Sequence, residues 1–352
     1  MPEELNPIVV PDGSKRKPSD GVLTLRQVNI GQGNLTYIIC PNNKRILIDA
    51  GSDSMGGITI EGVAASLEYV EEFTWEGAAT NWINQENFLY VDLVILTHSD
   101  GDHYNKIPDL LGLETPVQQV YIGGRLYGYT EMKKFRDWRA YDNIATKEDP
   151  LTGKDEQRIQ QLFVNDDHPQ PLLLCDGSIP GGRTCEIWAL AASVPPAYSG
   201  ETEPNANSIV VKIIFGNSSA MIPGDATVAT EDFLCENEEY SGIELKTDLL
   251  LIPHHGSETS SSDRFVRTVS PKIALVSAKD GNDHGLPRKD IIRRYTTPAN
   301  MLDDLGKDKD HRIETYLDKE TESSMTTTKD IWQTGVSGTK SYVLTGDTVM
   351  SE

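Results

Sequence analysis

The stretch "VDLVILTHSDGDHYN" (residues 91–105) constrains this chain more than any other. Its first part is a run of Val, Ile and Leu broken once. It is too short for a buried helix and predicts a strand covered on both faces. The run then breaks into a cluster: His98, Asp100, Asp102 and His103 fall within six positions. Histidine is scarce, with seven in 352 residues, so its pairing with carboxylates at a strand end calls for a chemical reason. Burying several carboxylates without partners is costly, and a bound cation is the common solution.

Three other apolar strands end in the same way. "LIDAG" ends at Asp49, "SAMIPGD" at Asp225, and "LLLIPHHG" at His254 and His255. Taken singly, a carboxylate after a strand is a cap or turn residue, and a lone histidine is a hydrogen-bonded structural group. The joint pattern points to a metal site. Within the first cluster, Gly101 is expected to permit a tight turn. His98 and Asp100 would then face one ion, and Asp102 and His103 a second. Imidazole with carboxylate and without thiolate suits zinc, manganese or iron.

The organisation of the chain supports this placement. Residues 1–20 are polar and Pro-rich and read as a flexible arm. From Gly21, "VLTLRQVNI", "LTYIIC" and "RILIDAG" alternate as an antiparallel strand run. "EGVAASLEYVEEF" has helical spacing, "WEGAATNWINQENF" more weakly so. "YNKIPDLLGLETPVQQV" reads as a helix with a loop, and "VYIGG" as a short strand. "EMKKFRDWRAYDN" and "KDEQRIQQLF" read as helices inside a charged insertion. A second strand run follows in "TCEIWALAA", "SIVVKIIFG" and "SSAMIPGD". After it come the helix "EDFLCENEEY", the strand "TDLLLIPHHGS", the helix "DRFVRTVS", the strand "KIALVSA" and the helix "RKDIIRRY". "SMTTTKDIWQT" and "KSYVLTG" read as strands of a tail, with Asp347 a tail residue. Two β-rich halves, each passing into strand–loop–helix units, predict an α+β fold: two facing sheets with helices outside and a site along one edge.

Bulk properties narrow the classes. The chain carries 54 Asp and Glu against 32 Lys and Arg, a net charge of −22, which disfavours non-specific coating of long nucleic acid. There is no apolar stretch of eighteen residues and no secretory leader pattern, so no membrane span is expected and the cytoplasm is the default location. Cys40, Cys175, Cys185 and Cys235 are far apart and form no CxxC pair. They read as ordinary, partly buried thiols rather than a disulfide framework or thiolate metal site. "GQGN" reads as a turn, and the Trp pair in "TWEGAATNW" as helix packing.

The motif His98-x-Asp100-x-Asp102-His103 resembles the HxHxDH signature of metallo-β-lactamase-fold hydrolases, with Asp at the second histidine position. That form, HxDxDH, is similar to the branch related to the DNA-uptake competence protein ComEC. "VNIGQGN", "RILIDAGS", "NANSIVVKIIFGNSSAMIPGD", "LKTDLLLIPHHGSETSSS" and "PKIALVSAKDGNDHGLP" resemble that branch's further motifs in order, over about residues 21–295. The resemblance implies one αββα domain over 21–352, with insertions at about 54–90 and 125–180 and a C-terminal extension from about 296.

It also implies a site. His98, Asp100, Asp102, His103, Asp225 and His255 carry over as metal ligands, with Asp225 as the bridging carboxylate and Asp49 as a brace of the metal loop. The third-motif histidine is missing; Asn205, Asn207 and Ser208 occupy its region. "HGLP" replaces "GHP", with His284 displaced and Leu286 in the histidine position. Asp102 is expected to act on the attacking water. His254 and His284 are the candidates for the leaving-group acid. Ser257, Thr259, Ser260, Asn207 and Asn282 are candidate substrate contacts, although "GSETSSS" also reads as a polar loop with Ser262 or Asp263 as a helix N-cap. The expected cofactor is one or two divalent ions, manganese or zinc with magnesium third, because Asp100 makes the site harder. The expected reaction is phosphodiester hydrolysis of DNA, RNA or a small nucleotide, with short or single-stranded substrates favoured. The alternatives are hydrolysis of another ester, a thioester or a lactam on the same fold, or a metal-binding module that works through partners.

Overall fold

A computed structural model describes residues 21–67, 91–111, 117–129, 147–148, 155–156, 159–195, 203–297, 311–318, 321–327 and 329–351. The N-terminal arm and the helices expected in "WEGAATNWINQENF" and "EMKKFRDWRAYDN" lie outside the described residues.

The first strand run forms as its alternation predicts. β1 (Leu23–Gln27), β2 (Thr36–Ile39) and β3 (Arg45–Ile48) make an antiparallel meander. Helix α1 (Ile60–Leu67) follows, and then β4 (Val91–Leu96), buried at every position. β4 lies parallel to β3, and parallel on its other side to β5 (Val117–Gly123). The short helices α2 (Gly101–Tyr104) and α3 (Ile107–Leu111) sit between β4 and β5 in the chain. The two-residue strands β6 (Lys147–Glu148) and β7 (Asp155–Glu156) pair with each other. β8 (Ile159–Leu162) then lies parallel to β5 at the sheet edge.

The helix expected over "KDEQRIQQLF" is therefore not formed. The sequence around Leu162 has period two: Leu162 and Val164 are buried, and Phe163 between them is 47% exposed. Pairing with β5 and entry of alternate side chains into the core outweigh the helix propensity of Gln and Arg.

The second sheet begins with antiparallel strands β9 (Leu172–Asp176), β10 (Cys185–Ala191), β11 (Val210–Phe215) and β12 (Ser218–Ile222). The one-turn helix α4 (Glu203–Ala206) precedes β11. After α5 (Val228–Ser241), the strand β13 (Leu249–Leu251) adds in parallel. After α6 (Asp263–Val269), so does β14 (Ile273–Val276). Ser262 is the N-cap of α6 and its side chain accepts from Phe265 N, so the capping reading holds. α7 (Lys289–Thr296) leads to an antiparallel ribbon, β15 (His311–Tyr316) with β16 (Glu322–Thr327).

The tail stretch "SMTTTKDIWQT", expected as one strand, is divided. Its end forms β17 (Ile331–Gln333), which joins the second sheet beside β14. Helix α8 (Thr334–Ser337) connects it to β18 (Lys340–Leu344), which crosses to the first sheet and pairs with β1. β19 (Val349–Ser351) completes that edge. β9 and β15 were not legible in the sequence.

Alternation along the strands separates the layers. Ile46, Ile48, Leu93 and Ile95 face the second sheet and join the main core. Leu47, Val94 and Leu96 face the opposite way and pack with Val63 of α1 and Ile107 and Leu110 of α3. α5 packs on β10 and on α6, and α6 on α7, covering the outer face of the second sheet. The result is the αββα sandwich of the α+β class. Each fully buried Leu or Ile contributes about 1.5–3 kcal/mol of transfer free energy, so register in β3 and β4 is strongly set. None of the described helices is long and apolar enough to cross a membrane.

Candidate metal centre

Parallel pairing of β3 with β4, and of β12 with β13, puts four strand ends on one edge of the sandwich. From these ends come Asp49, the segment His98–His103, Asp225, and the pair His254 and His255. The two sheets meet here: Ile209 N donates to Thr97 O at 2.9 Å, and Gly224 packs against the Thr97 side chain. His254 and His255 both have left-handed backbone, with φ 49° and 52°, which turns two successive imidazoles into the same space.

Asp49 organises the first group. It accepts from Thr97 N and Thr97 Oγ1, each at 2.7 Å, and from His103 Nδ1 at 2.7 Å. An ionised carboxylate only accepts, so the His103 proton sits on Nδ1 and the Nε2 lone pair points inward. His255 is fixed in the same tautomer, donating from Nδ1 to Ser277 O at 2.5 Å. His254 Nδ1 meets Thr259 Oγ1 at 2.7 Å.

The imidazoles converge on the buried carboxylate of Asp225. Its Oδ1 lies 3.1 Å from His103 Nε2 and 3.6 Å from His255 Nε2. Its Oδ2 lies 3.5 Å from His254 Nε2 and 3.8 Å from His98 Nε2. Asp102 Oδ2 is 3.3 Å from His255 Nε2, and Asp100 Oδ2 is 3.6 Å from His98 Nε2. The Nε2 atoms of His98, His103 and His255, with Asp225 Oδ1, are buried and make no hydrogen bond. With the imidazoles neutral, lone pairs face lone pairs inside the protein, an arrangement that needs positive charge between them, as a proton or a cation. His98, His103 and Asp225 form one group with ligand atoms at metal-binding separations, and Asp102, His103 and His255 form another. The residues present fit a divalent cation.

The electrostatics agree. Burial disfavours charge on every member, yet Asp225 is held well below the usual carboxylate range by His103, His255 and His254. Asp102 is likewise lowered against burial, by His103 and His255. His103 is pushed up against burial by Asp225, Asp49 and Asp102, and His255 by Asp225 and Asp102. Burial lowers His254, with Asp225 opposing. The cavity favours anionic carboxylates with a cationic counterpart.

The remaining expected residues fall around this core. Asp100 is 44% exposed at its side chain and lies at the mouth. Ser257 Oγ contacts Thr259 Oγ1 at 3.2 Å. Ser260 is fully buried, its hydroxyl donating to Pro253 O and Ser257 O, and so braces the loop after His255. The Asn207 side chain lies over Gly124, beyond the end of β5. Both ends of the Asn282 amide are engaged within its own loop, with Lys279 O, Leu286 O, His284 N and Leu286 N. His284 is half exposed and pairs with Asp53 at 3.4 Å on the rim.

Gly101 does not play the expected part. It opens α2 with ordinary backbone, and an added Cβ would meet only Asn105 Nδ2 at 3.6 Å. The required glycines are Gly33 and Gly51. A Cβ on Gly51 would stand 2.4 Å from Asp102 C, His103 N and Tyr104 N, and one on Gly33 2.6 Å from Asp102 O. "GQGN" is a turn clamped on the metal loop, with Asn34 N donating to Asp102 O at 3.0 Å and Ser277 Oγ to Gly33 O at 2.7 Å.

Sequence reasoning missed Thr97, Ser277 and the work of Ser208. Ser208 Oγ accepts from Asp225 N at 3.1 Å and lies 3.4 Å from His98 Nδ1. It stands where the family's third histidine would be sought. Asn205 Nδ2 approaches His254 Nε2 at 3.2 Å. Thr97 could have been suspected from its place between strand and cluster; nothing in the sequence marks Ser277.

No protein-family profile matches the chain. It is 23% identical over 304 residues, 86% of its length, to Recombination protein 2 of Haemophilus influenzae. It is 22% identical over 279 residues, 76% of its length, to ComE operon protein 3 of Bacillus subtilis. The chain spans 30% of the length of each of these relatives. Among solved structures, CmlA, a diiron β-hydroxylase from Streptomyces venezuelae, matches 74% of this chain and 45% of its own, at 13% identity and a TM-score of 0.40.

Proposed function

We propose that this chain, a metallo-β-lactamase-fold relative of the competence-related proteins, is a metal-dependent phosphodiesterase acting on nucleic acid or a nucleotide. One observation carries the reading: the two oxygens of Asp225 face two different pairs of imidazoles. Near Oδ1 stand His103 and His255, with Asp102 against His255; near Oδ2 stand His98 and His254, with Asp100 against His98 at the mouth. Asp225 would then bridge two ions, and His254 would supply the nitrogen that the absent third-motif histidine leaves wanting. Such ions supply Lewis acidity and lower the pKa of bound water, the chemistry that in-line displacement at phosphorus requires.

The chain's own groups prepare the site. Asp49, Ser277 O and Thr259 fix the imidazole orientations. Asp102 remains ionised and 15% exposed at its side chain, placed to orient or accept a proton from the attacking water. His254 is drawn inward, so His284 on the rim is the better candidate for the leaving-group acid. Ser257 and Thr259 line the loop beside the site as contacts for a non-bridging oxygen. The name of the Haemophilus relative, a recombination protein, favours DNA as the substrate class. The net charge of −22 favours short or single-stranded forms, with local cations offsetting the repulsion. Asp100 shifts the preference toward manganese, with zinc and magnesium as alternatives.

The test is incubation with manganese, zinc or magnesium and labelled single-stranded DNA, RNA and cyclic nucleotides. Wild type should cleave one class, and an Asp102→Ala, His103→Ala variant none. Absence of cleavage across all substrates and metals would overturn the proposal. Metal content separates the half-sites: His254→Ala should lose one of two ions and keep the other.

A further inference from the structure

Three of the four cysteines, scattered in the sequence, meet in the fold. Cys40 follows β2 of the first sheet, while Cys175 lies in β9 and Cys185 opens β10 of the second. All three are buried. Cys40 is the middle member, and both other thiols interact with its side chain. The sulfurs of Cys40 and Cys185 each lie 2.8 Å from the point where a Cβ on Gly177 would stand, so Gly177 leaves the space they share. The thiols are free and largely buried, as expected, and the sequence spacing could not show that three of them meet across the sheets.

The surrounding backbone joins the two sheets here. Asn42 N donates to Gly177 O at 3.1 Å, two residues beyond Cys40 and two beyond Cys175. Asn42 Nδ2 and Lys44 Nζ both donate to Asp176 O, at 3.2 and 2.9 Å. This seam faces the N-terminal end of β3, as Ile39 pairs with Arg45, whereas Asp49 follows the other end of that strand. It is therefore remote from the metal centre.

We propose that Cys40 and Cys175 are a thiol–disulfide modification site, which a small disulfide such as glutathione disulfide oxidises to a bond tying the two sheets together. Cys175 is the entry point. It sits on an edge strand and is 9% exposed, against 1% for Cys40 and 0% for Cys185. The neighbouring Cys40 thiol and then Lys44 lower its pKa against burial, whereas the Cys175 and Cys185 thiols and burial raise that of Cys40. The Cys175 thiolate attacks one sulfur of glutathione disulfide, forming a mixed disulfide and releasing one glutathione thiolate. Cys40 gives up its proton and attacks Cys175 Sγ, expelling the second glutathione. Two protein thiols are oxidised, one glutathione disulfide is reduced to two thiols, and the two cysteine protons pass to the released glutathiones.

The test is to equilibrate the purified full chain with glutathione disulfide under native conditions, alkylate, and map the peptides by mass spectrometry. The expected product has lost two of the four alkylatable thiols, carries no glutathione, and has its Cys40 and Cys175 peptides cross-linked. Cys185→Ser should keep the cross-link, and Cys40→Ser should instead hold one glutathione on Cys175. Four intact thiols in wild type, or a cross-link that maps to another pair, would overturn the proposal. The wild-type map needs no variant to fold, and the readout is independent of phosphodiester cleavage.

Discussion

Gly51 is the position at which a single added carbon should disable the site without touching a ligand side chain. A Cβ there would stand 2.4 Å from three backbone atoms of α2, those of Asp102, His103 and Tyr104. Backbone cannot rotate away as a side chain can. Ordinary carbon contacts lie near 3.5 Å, so α2 must move by about 1 Å or the β3 end must give by as much. The hydrogen bonds Ala50 N to His103 O at 2.8 Å and Lys106 N to Ala50 O at 2.9 Å resist that shift. Overpacking of this kind costs about 1–3 kcal/mol. A displacement of about 1 Å in Asp102 and His103 should weaken metal binding and any hydrolysis on the order of 100-fold. Gly101→Ala is the matched control in the same loop. Its backbone is ordinary and its Cβ would meet one side-chain atom at 3.6 Å. That variant should be neutral or stabilised by up to about 1 kcal/mol through a less flexible unfolded chain. Thermal unfolding and calorimetric manganese titration of both variants decide the matter. Wild-type manganese affinity in Gly51→Ala, or equal damage in Gly101→Ala, refutes the steric reasoning.

Asp49→Asn should lower metal affinity roughly 10–100-fold, because it removes the carboxylate that fixes the His103 tautomer; metal titration would read it. Chelation of bound metal should lower the unfolding midpoint, since the inward lone pairs around Asp225 lose their counter-charge, and a differential scan with and without chelator checks this. Glu231, buried where it accepts from Ser261 N and Ser262 N, is pushed up to about 7 by burial, against those hydrogen bonds. The folded state therefore holds its proton more tightly than the unfolded chain. Its contribution is fully present below about pH 4.5 and is lost as pH rises through 7, a change of about 3 kcal/mol. The stability difference between wild type and Glu231→Gln, measured by urea unfolding across that window, should fall accordingly; a flat difference would reject the assignment. Ser208→Ala should loosen Asp225 and His98 together, so that metal analysis shows partial loss at the half-site of His98 before that of His255.

The sequence by itself determined most of the strands and pointed to the candidate ligands. Apolar alternation placed β1 to β3 and β10 to β12, because burial on one face of a pleated surface imposes a period of two, and short apolar runs placed β4, β13 and β14, which are buried on both faces. His98, Asp102, His103, Asp225 and His255 were legible because histidine is rare and each stands just past an apolar run. Other features belong to the tertiary structure alone. The strand at 159–162 overrode its helical composition because β5 offered it a partner. The role of Gly51 rather than Gly101 depends on which backbone passes within 2.4 Å, and spacing carries no such distance. Thr97, Ser208 and Ser277 act through a few hydrogen bonds between residues distant in the chain, which leave no periodic trace. The approach of His254 to the second oxygen of Asp225 arises where two neighbouring strands of the second sheet end together, and that of Cys40 to Cys175 where the two sheets close on each other. Side-chain pattern along one strand reports what is buried, and only the packing of the sheets decides what each buried group meets.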